Sequence, residues 1–488
     1  MRTEARDLSI LTGPRRVTTP GGFIIQHADT AAQLASYRAL RHDAFVRTQE
    51  LFTHTDRDDL DDDPRTVVLC AVADDGTVLG GVRLAPATGE DIGWWTGSRL
   101  VVLPTDQARG VGPALVRAAC AYAENAGVLR FDASVQVRYR SMFVSLGWEH
   151  TGEVDVASTA HAAMRWPINK IERLVAGTKA MLADVLAPLS GHASGLGPAG
   201  FRGDDGSPVP GTDMIAACDA IIPSMVERDP EWAGWCAVLV NLNDLSAMGA
   251  TPVGLLDAVG APTRSQLTRI IRGMAKAAEA WNVPVLGGHT QSGVPASLSV
   301  TALGRTGSPV PAGGGRVGHA LRLTTDVGGG WRRGYAGQQW DSTSVRRPDE
   351  LERMGTFVRR AAPAAAKDVS MAGLVGTTGM LAEASGTGAI LDVAAIPRPA
   401  GVTVGEWVTA FPGFAMITAD DLGRSIPDAG PAISATCGRL TDTPGVGLRW
   451  PDGAVTSAVH STVTGLGAAW VRVRTTDTSS RGPDPCLR

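Results

Sequence analysis

Two groups of residues have the types and spacing for chemistry. The first is Gln107-Ala108-Arg109-Gly110-Val111-Gly112, between the apolar run Arg99-Leu100-Val101-Val102-Leu103 and the residues Pro113-Ala114-Leu115. A short apolar run reads as a buried strand, and Leu115, Ala118/Ala119 and Tyr122 fall at helical spacing. Pro113 suits a first helical turn and Gly127 a helix stop. The glycines therefore sit where a strand turns into a helix. There the leading N–H groups lack partners and the helix dipole is positive, so a pyrophosphate fits if no side chain blocks it. Gly110 and Gly112 leave the approach clear, and Arg109 adds a positive charge. Neither the dinucleotide pattern G-x-G-x-x-G nor the P-loop G-x-x-x-x-G-K-[ST] is present.

The second group is three separated carboxylates, Asp204, Asp219 and Asp244, each ending or flanking a regular element. Isolated aspartates at such places are often caps or turn residues. Brought together, they make an all-oxygen site of the kind Mg²⁺ prefers, and Mg²⁺ also bridges phosphates.

The elements that must position these groups follow in order. Phe23-Ile24-Ile25 reads as a strand, Thr30 to Val46 as a helix, and Thr66 to Ala73 and Thr77 to Leu84 as a hairpin about Asp74-Asp75-Gly76. Asp56 to Asp63 holds six aspartates in eight positions, a run expected to repel itself into a solvated loop. Arg130 to Val135 is strand-like, and Arg138 to Leu146 is a helix stopped by Gly147. Ile168 to Leu189 is amphipathic and reads as a connecting helix, followed by a glycine-rich loop from Ser190 to Gly200. Beyond it come a strand (Met214 to Cys218), a helix (Glu231 to Met248), a strand (Leu255 to Val259) and a helix (Arg264 to Trp281). Gly287-Gly288-His289-Thr290 follows. Arg332 or Arg333, in a Gly/Trp/Arg-rich segment, offers a contact for an anionic substrate group unless that segment is a plain surface loop.

At 488 residues the chain is too long for one ordinary domain. With 44% hydrophobic and 19% charged residues it reads as globular rather than disordered. A net charge of −4 gives no electrostatic reason to expect nucleic acid or an anionic membrane as partner. Its six cysteines form no C-x-x-C pair and read as reduced thiols, which points to the cytoplasm. No run approaches the roughly 20 apolar residues of a membrane span. Residues 1–16 have no apolar stretch of a secretory signal.

The pattern Q-x-x-G-x-G after a strand is the one by which GNAT acetyltransferases hold the pyrophosphate of acetyl-CoA, and the chain resembles that family from about Phe23 to Trp166. The resemblance implies a GNAT mixed sheet and acetyl-CoA held around Leu103, Gln107, Arg109, Gly110, Val111 and Gly112. It also implies transfer to a small amine, which the aspartate run could steer from the acceptor side. Many members carry a proton-donating tyrosine four residues before the glycine that ends the last helix. Here that place is Phe143, and Tyr139, one turn earlier, is the candidate acid.

A second resemblance begins at Gly203-Asp204-Asp205-Gly206. It runs through Cys218-Asp219, Asp244-Leu245-Ser246-Ala247-Met248-Gly249-Ala250 and Gly287-Gly288-His289-Thr290. These segments, with Asp368-Val369-Ser370-Met371 and Glu383-Ala384-Ser385-Gly386 further on, resemble the AIR synthase superfamily in order. The implied fold is a two-part, PurM-like ATP-binding module that dimerises through its N-terminal sheet. It would take ATP at Gly203, Gly288, His289 and Thr290, and Mg²⁺ at Asp204, Asp219 and Asp244. Met371 stands where many members have aspartate, and Cys218 where a threonine is usual.

The chain as a whole is thus expected to be α/β (α+β), with a GNAT domain over 21–167 and a connector over 168–200. AIR synthase-like halves are expected over 201–312 and 313–474, with mobile ends at 1–20 and 475–488. It looks like the fusion of these two families found in bacterial nitrogen-starvation clusters beside a nitrilase. The implied function is bifunctional: N-acetylation of a small amine, and Mg–ATP-dependent activation of a second small molecule. A sensor that binds acetyl-CoA and ATP without turnover is the rival, supported by Phe143 and Met371.

Overall fold

The computed structural model describes residues 22–192 and 195–467, so the expected mobile ends at 1–20 and 475–488 lie outside the described residues. Two compact units divide the chain, the first ending at Lys170 and also holding Thr403–Gly405.

The first unit is built on strands β1 (Phe23–His27), β2 (Val67–Ala73), β3 (Val78–Pro86), β4 (Trp94–Val102), β5 (Arg130–Gln136), β6 (Glu149–Val156) and β7 (Thr159–Trp166). They form one seven-stranded sheet in the order β1-β2-β3-β4-β5-β7-β6. Only β4 and β5 are parallel, and the helix between them, α1 (Val111–Asn125), is the crossover such a pair requires. It lays Val111, Leu115, Ala118, Ala119 and Ala123 on the sheet, against Leu69, Leu79, Leu84, Phe131 and Met164. Strand β4 starts five residues earlier than its apolar run suggests, because Trp94-Trp95-Thr96 also suits a pleated surface.

Two irregularities in β4 open the sheet. Gly81 pairs with Val101 and Arg83 with Ser98, so Val82 alone faces Arg99 and Leu100, and Arg99 has φ +53°. A bulge of this kind re-aims the backbone. Pairing between β4 and β5 then stops at Gly97–Ala133, although both strands continue. Beyond that point they part.

The bulge is held by the aspartate run, which is not the self-repelling solvated loop its composition suggests. Arg41 is fully buried and binds Asp56 (2.6 Å) and Asp61. Arg83, equally buried, binds Asp58 and, at 2.9 Å, Asp61. Arg99 donates to the Asp56 carbonyl (2.9 Å) and the Asp58 carboxylate (3.0 Å), and its own carbonyl accepts from the Tyr37 hydroxyl (2.9 Å). Burial opposes ionisation of Asp61, but the hydrogen bond and charge of Arg41, with the charge of Arg83, hold its pKa at about 2.

Among its described residues the second unit has two large sheets and one of two strands. Strands β8 (Ser207–Pro208), β9 (Met214–Ala220), β10 (Thr251–Ala261), β11 (Val285–Ser292) and β12 (Ser297–Arg305) order as β11-β10-β12-β9-β8. Helices α2 (Pro230–Ala247) and α3 (Arg264–Ala280) pack against them and against each other. The two helices come close because Gly234 and Gly273 face backbone: a methyl group at Gly273 would sit 1.9 Å from the Glu231 carbonyl oxygen. Helix α2 starts at Pro230, capped by Asp229, and is buried along nearly its whole length, polar residues Asn241, Asn243, Asp244 and Ser246 included.

Past a two-strand hairpin, β14 (Gly330–Trp331) with β15 (Trp340–Asp341), lies the second sheet. With β13 (Ala320–Thr325), β16 (Ala365–Asp368), β17 (Gly388–Asp392), β18 (Ala415–Asp420), β19 (Ile433–Thr441), β20 (Val446–Arg449) and β21 (Val455–Val459), its order is β16-β18-β13-β19-β17-β20-β21. The helix α4 (Gly373–Ala384) packs against it, buried along nearly all its length.

The connecting segment is not one helix. It is helical over Lys170–Thr178, Leu182–Val185 and, in a tighter turn, Ala187–Leu189.

Candidate functional site

In the first unit the structure brings the leading turn of α1 to an open cleft. Gly110 caps the helix with φ +84°, a conformation glycine adopts without the steric penalty of a side chain. A methyl group there would meet nothing within 4 Å, and one at Gly112 would meet only a Val102 methyl, at 3.6 Å. Among the described residues, no other side chain comes within 4 Å of either position. Beside it Leu103, Pro104, Thr105, Asp106, Ala108 and Arg109 line a cleft of about 500 Å³. Gln107 lies exposed in the short turn Asp106–Ala108. Val111 has its side chain fully buried, so only its backbone amide can serve a ligand. The arrangement can seat an anion on amides at the positive end of a helix, with Arg109 alongside.

Tyr139 is half exposed at the start of the short helix Arg140–Ser145, and the Arg138 guanidinium stands 4.9 Å from its ring centre. Phe143 is buried, edge-on to Trp148 at 5.3 Å. It therefore serves the core.

In the second unit the carboxylates that come together are Asp205, Asp244 and Asp368. Each offers an oxygen within 4.8 Å of the others, the one such group among the described residues. Of the three aspartates expected to share a metal ion, only Asp244 is in it. Asp204 is turned the other way: one oxygen accepts from the Ala312 amide (2.7 Å), the other from the Asp205 amide (2.8 Å) and Lys367 (3.3 Å). Asp219 ends outside the trio, its amide donating to Asn241 Oδ1 (3.2 Å) one helical turn before Asp244. Asp205 faces inward because Lys367 Nζ binds one of its oxygens and the Asp368 amide donates to the other (3.0 Å).

Burial, and after it the charges of Asp368, Asp219 and Asp205, push the Asp244 pKa well above the carboxylate range. Burial and the Asp205 charge do the same to Asp368. A divalent cation relieves both effects, and the donor set is all oxygen, so the residues fit Mg²⁺.

Sequence reasoning missed Asp205 and Asp368. Asp205 is the neighbour of the residue chosen, and adjacent residues point to different sides. Asp368 opens the Asp368-Val369-Ser370-Met371 motif, which was its signal. Met371 is half exposed, in keeping with the loss of a carboxylate there.

Gly203 (φ +67°) lies under Leu466. Gly288, His289 and Thr290 stand on β11, an edge strand exposed along its length, opposite Asp257, Ala258 and Val259 of β10. A side chain at Gly288 would strike the Asp257 carboxylate. Arg332, one of the two arginines offered to an anionic substrate, is taken up internally. It binds Asp229 (3.0 Å) and lies over the Trp232 ring (4.4 Å). Arg333 is exposed.

Comparison with known proteins agrees with this geometry. Residues 34–147 match the acetyltransferase (GNAT) family, and residues 203–306 match the AIR synthase related protein, N-terminal domain. An uncharacterised protein of Synechocystis sp. is 37% identical over 223 residues, 44% of this chain and 69% of that protein. An uncharacterised protein of Methanocaldococcus jannaschii is 25% identical over 189 residues, 37% of this chain and 58% of its own length. A thiamine-monophosphate kinase of Synechococcus elongatus is 34% identical over 117 residues, 22% of this chain and 36% of the kinase. No described helix is long and apolar enough to cross a membrane. The chain belongs to the family of the Synechocystis protein, and it joins a GNAT acetyltransferase domain to an AIR synthase-related domain.

Proposed function

We propose that the chain is a bifunctional enzyme. Its first unit transfers an acetyl group from acetyl-CoA to the nitrogen of a small amine. Its second uses Mg–ATP to activate another small molecule, in bacterial nitrogen metabolism. The observation that carries the reading is the pairing of the uncovered Gly110–Gly112 turn, beside its cleft, with the Asp205–Asp244–Asp368 group in one polypeptide.

In the first step the neutral amine attacks the thioester carbonyl carbon, the C–S bond breaks, CoA leaves as the thiolate to be protonated, and the nitrogen's proton passes to solvent water. The Arg99–Leu100 bulge lies past Gly97–Ala133, where β4 and β5 cease to pair, and a β4 amide left without a strand partner there is the group we assign to polarising that carbonyl. Tyr139, exposed nearby in sequence to the end of β5, is the residue we assign to proton donation. Holding amine and thioester together supplies much of the rate.

In the second unit Asp205, Asp244 and Asp368 are the residues that would hold Mg²⁺, with Asp219 adding negative charge. When bound, the ion neutralises phosphate charge as the γ-phosphoryl group moves. Gly203, Gly288, His289 and Thr290 remain our candidates for nucleotide contact. The kinase among the relatives supports phosphoryl chemistry of this class. The exposed strand β11, with Leu286 58% and Val285 41% exposed, supports pairing of two copies through this sheet.

The sensor reading is favoured by Phe143 lying in the core and Met371 at the surface. One experiment separates the two: full-length protein with acetyl-CoA, Mg–ATP and a pool of small amines, followed for free thiol and ADP. The enzyme reading expects both products above blank, from a particle whose light-scattering mass is that of two chains. Binding of both nucleotides with neither product would leave the sensor.

A further inference from the structure

The carboxylate group contains a cation of its own. Lys367, on β16, is 3% exposed, and its ammonium is enclosed by Asp205 and, at 3.3 Å, Asp204. Its Nζ donates to both carboxylates, so, among the described residues, the only cation in contact with this acidic cluster is held from two sides. The same Asp205 carboxylate takes the Asp368 amide at 3.0 Å, and Asp204 takes the Ala312 amide at 2.7 Å. Lys367 thus closes a loop of contacts. It ties the Gly203–Gly206 turn, which precedes β9, to strand β16, whose last residue is Asp368 itself. Two of the three clustered carboxylates are positioned by this loop. Asp244, the third, comes from α2.

We propose that Lys367 is a resident counter-cation that shapes the Asp205–Asp244–Asp368 group before any divalent ion arrives. The proposal rests on the reading of that group as a divalent-ion site. Lys367 is a positioning residue: it acts through Asp205, which it holds in register with Asp368 by charge. Without it, three buried carboxylates face one another, and the divalent ion must supply the charge that assembles them. Removal of Lys367 therefore converts a preformed site into one whose formation is linked to metal, and linkage appears as metal-dependent stability.

The test compares full-length wild type, Lys367→Met and Lys367→Arg by calorimetric melting in EDTA and in Mn²⁺, with Mn²⁺ binding followed by water-proton relaxation. Wild type and Lys367→Arg are expected to gain the same modest rise in Tm from Mn²⁺. Lys367→Met is expected to melt lower in EDTA and to gain a rise about twofold larger or more. An equal or smaller rise in Lys367→Met would overturn the proposal. If that variant does not fold, hydrogen exchange on wild type decides. Residues 204–206 and 366–368 should be as protected in EDTA as in Mn²⁺, and protection that appears only with Mn²⁺ would overturn the proposal. A wild type that shows no relaxation change with Mn²⁺ would overturn the divalent-ion reading and this role with it, a result distinct from Mn²⁺ binding without a difference between variants.

Discussion

Arg41→Met is expected to cost the first unit about 3–5 kcal/mol, the usual penalty for removing one partner of a buried ion pair. The side chain is fully buried, and it neutralises Asp56 and Asp61, each of which has a side chain only 3% exposed. Methionine fills much of the volume but removes the closest guanidinium from both carboxylates, leaving Asp61 with Arg83 (2.9 Å) and Asp56 with Arg99 (3.5 Å). Set against a typical domain stability of about 5–15 kcal/mol, that loss is a large fraction of the whole. The loss reaches the bulge as well, because Asp56 and Asp58 hold Arg99 in its left-handed conformation. Denaturant melts of the variant check it. A loss under about 1 kcal/mol would mean that these pairs behave like exposed ones.

The second large effect concerns the glycine turn. Gly110→Val places a β-branched residue at φ +84°, a conformation costing on the order of 1–3 kcal/mol for such a side chain. The backbone relieves that strain by rotating, and rotation turns the amides of Val111 and Gly112 away from the cleft. Acetyl-CoA affinity should fall roughly tenfold or more, since about 1.4 kcal/mol corresponds to a factor of ten. Nothing packs within 4 Å of the new Cβ, so the core beneath should survive. Calorimetric titration with acetyl-CoA measures the loss, and an unchanged Kd would remove the turn from the binding site.

How much of this was legible beforehand varies with the range of the forces involved. The Gly110–Gly112 turn was readable because strand, glycines and helix are contiguous, and local propensity decides their geometry. Helices Pro230–Ala247 and Arg264–Ala280 stand within one residue at each end of the expected spans, Glu231 to Met248 and Arg264 to Trp281. The aspartate run was misread because its partners Arg41, Arg83 and Arg99 are remote in sequence. Composition shows like charges adjacent, while the fold supplies the opposite ones. The carboxylate group was legible as a motif but not by member. Asp204 and Asp205 differ only in what the tertiary structure places beside them: the Ala312 amide for one, the Asp368 amide for the other. Asp368 reaches the site from the second sheet, a joining that no local pattern encodes.

The central claim is that one chain carries two independent sites, amides at the head of α1 for acetyl-CoA and carboxylates around a divalent ion for ATP. The most direct measurement titrates acetyl-CoA and Mg–ATP separately into wild type and Asp244→Asn by calorimetry. The account predicts that the variant loses most of its Mg–ATP affinity and keeps the wild-type Kd for acetyl-CoA. Equal losses for the two ligands, or no loss of Mg–ATP affinity, would contradict it.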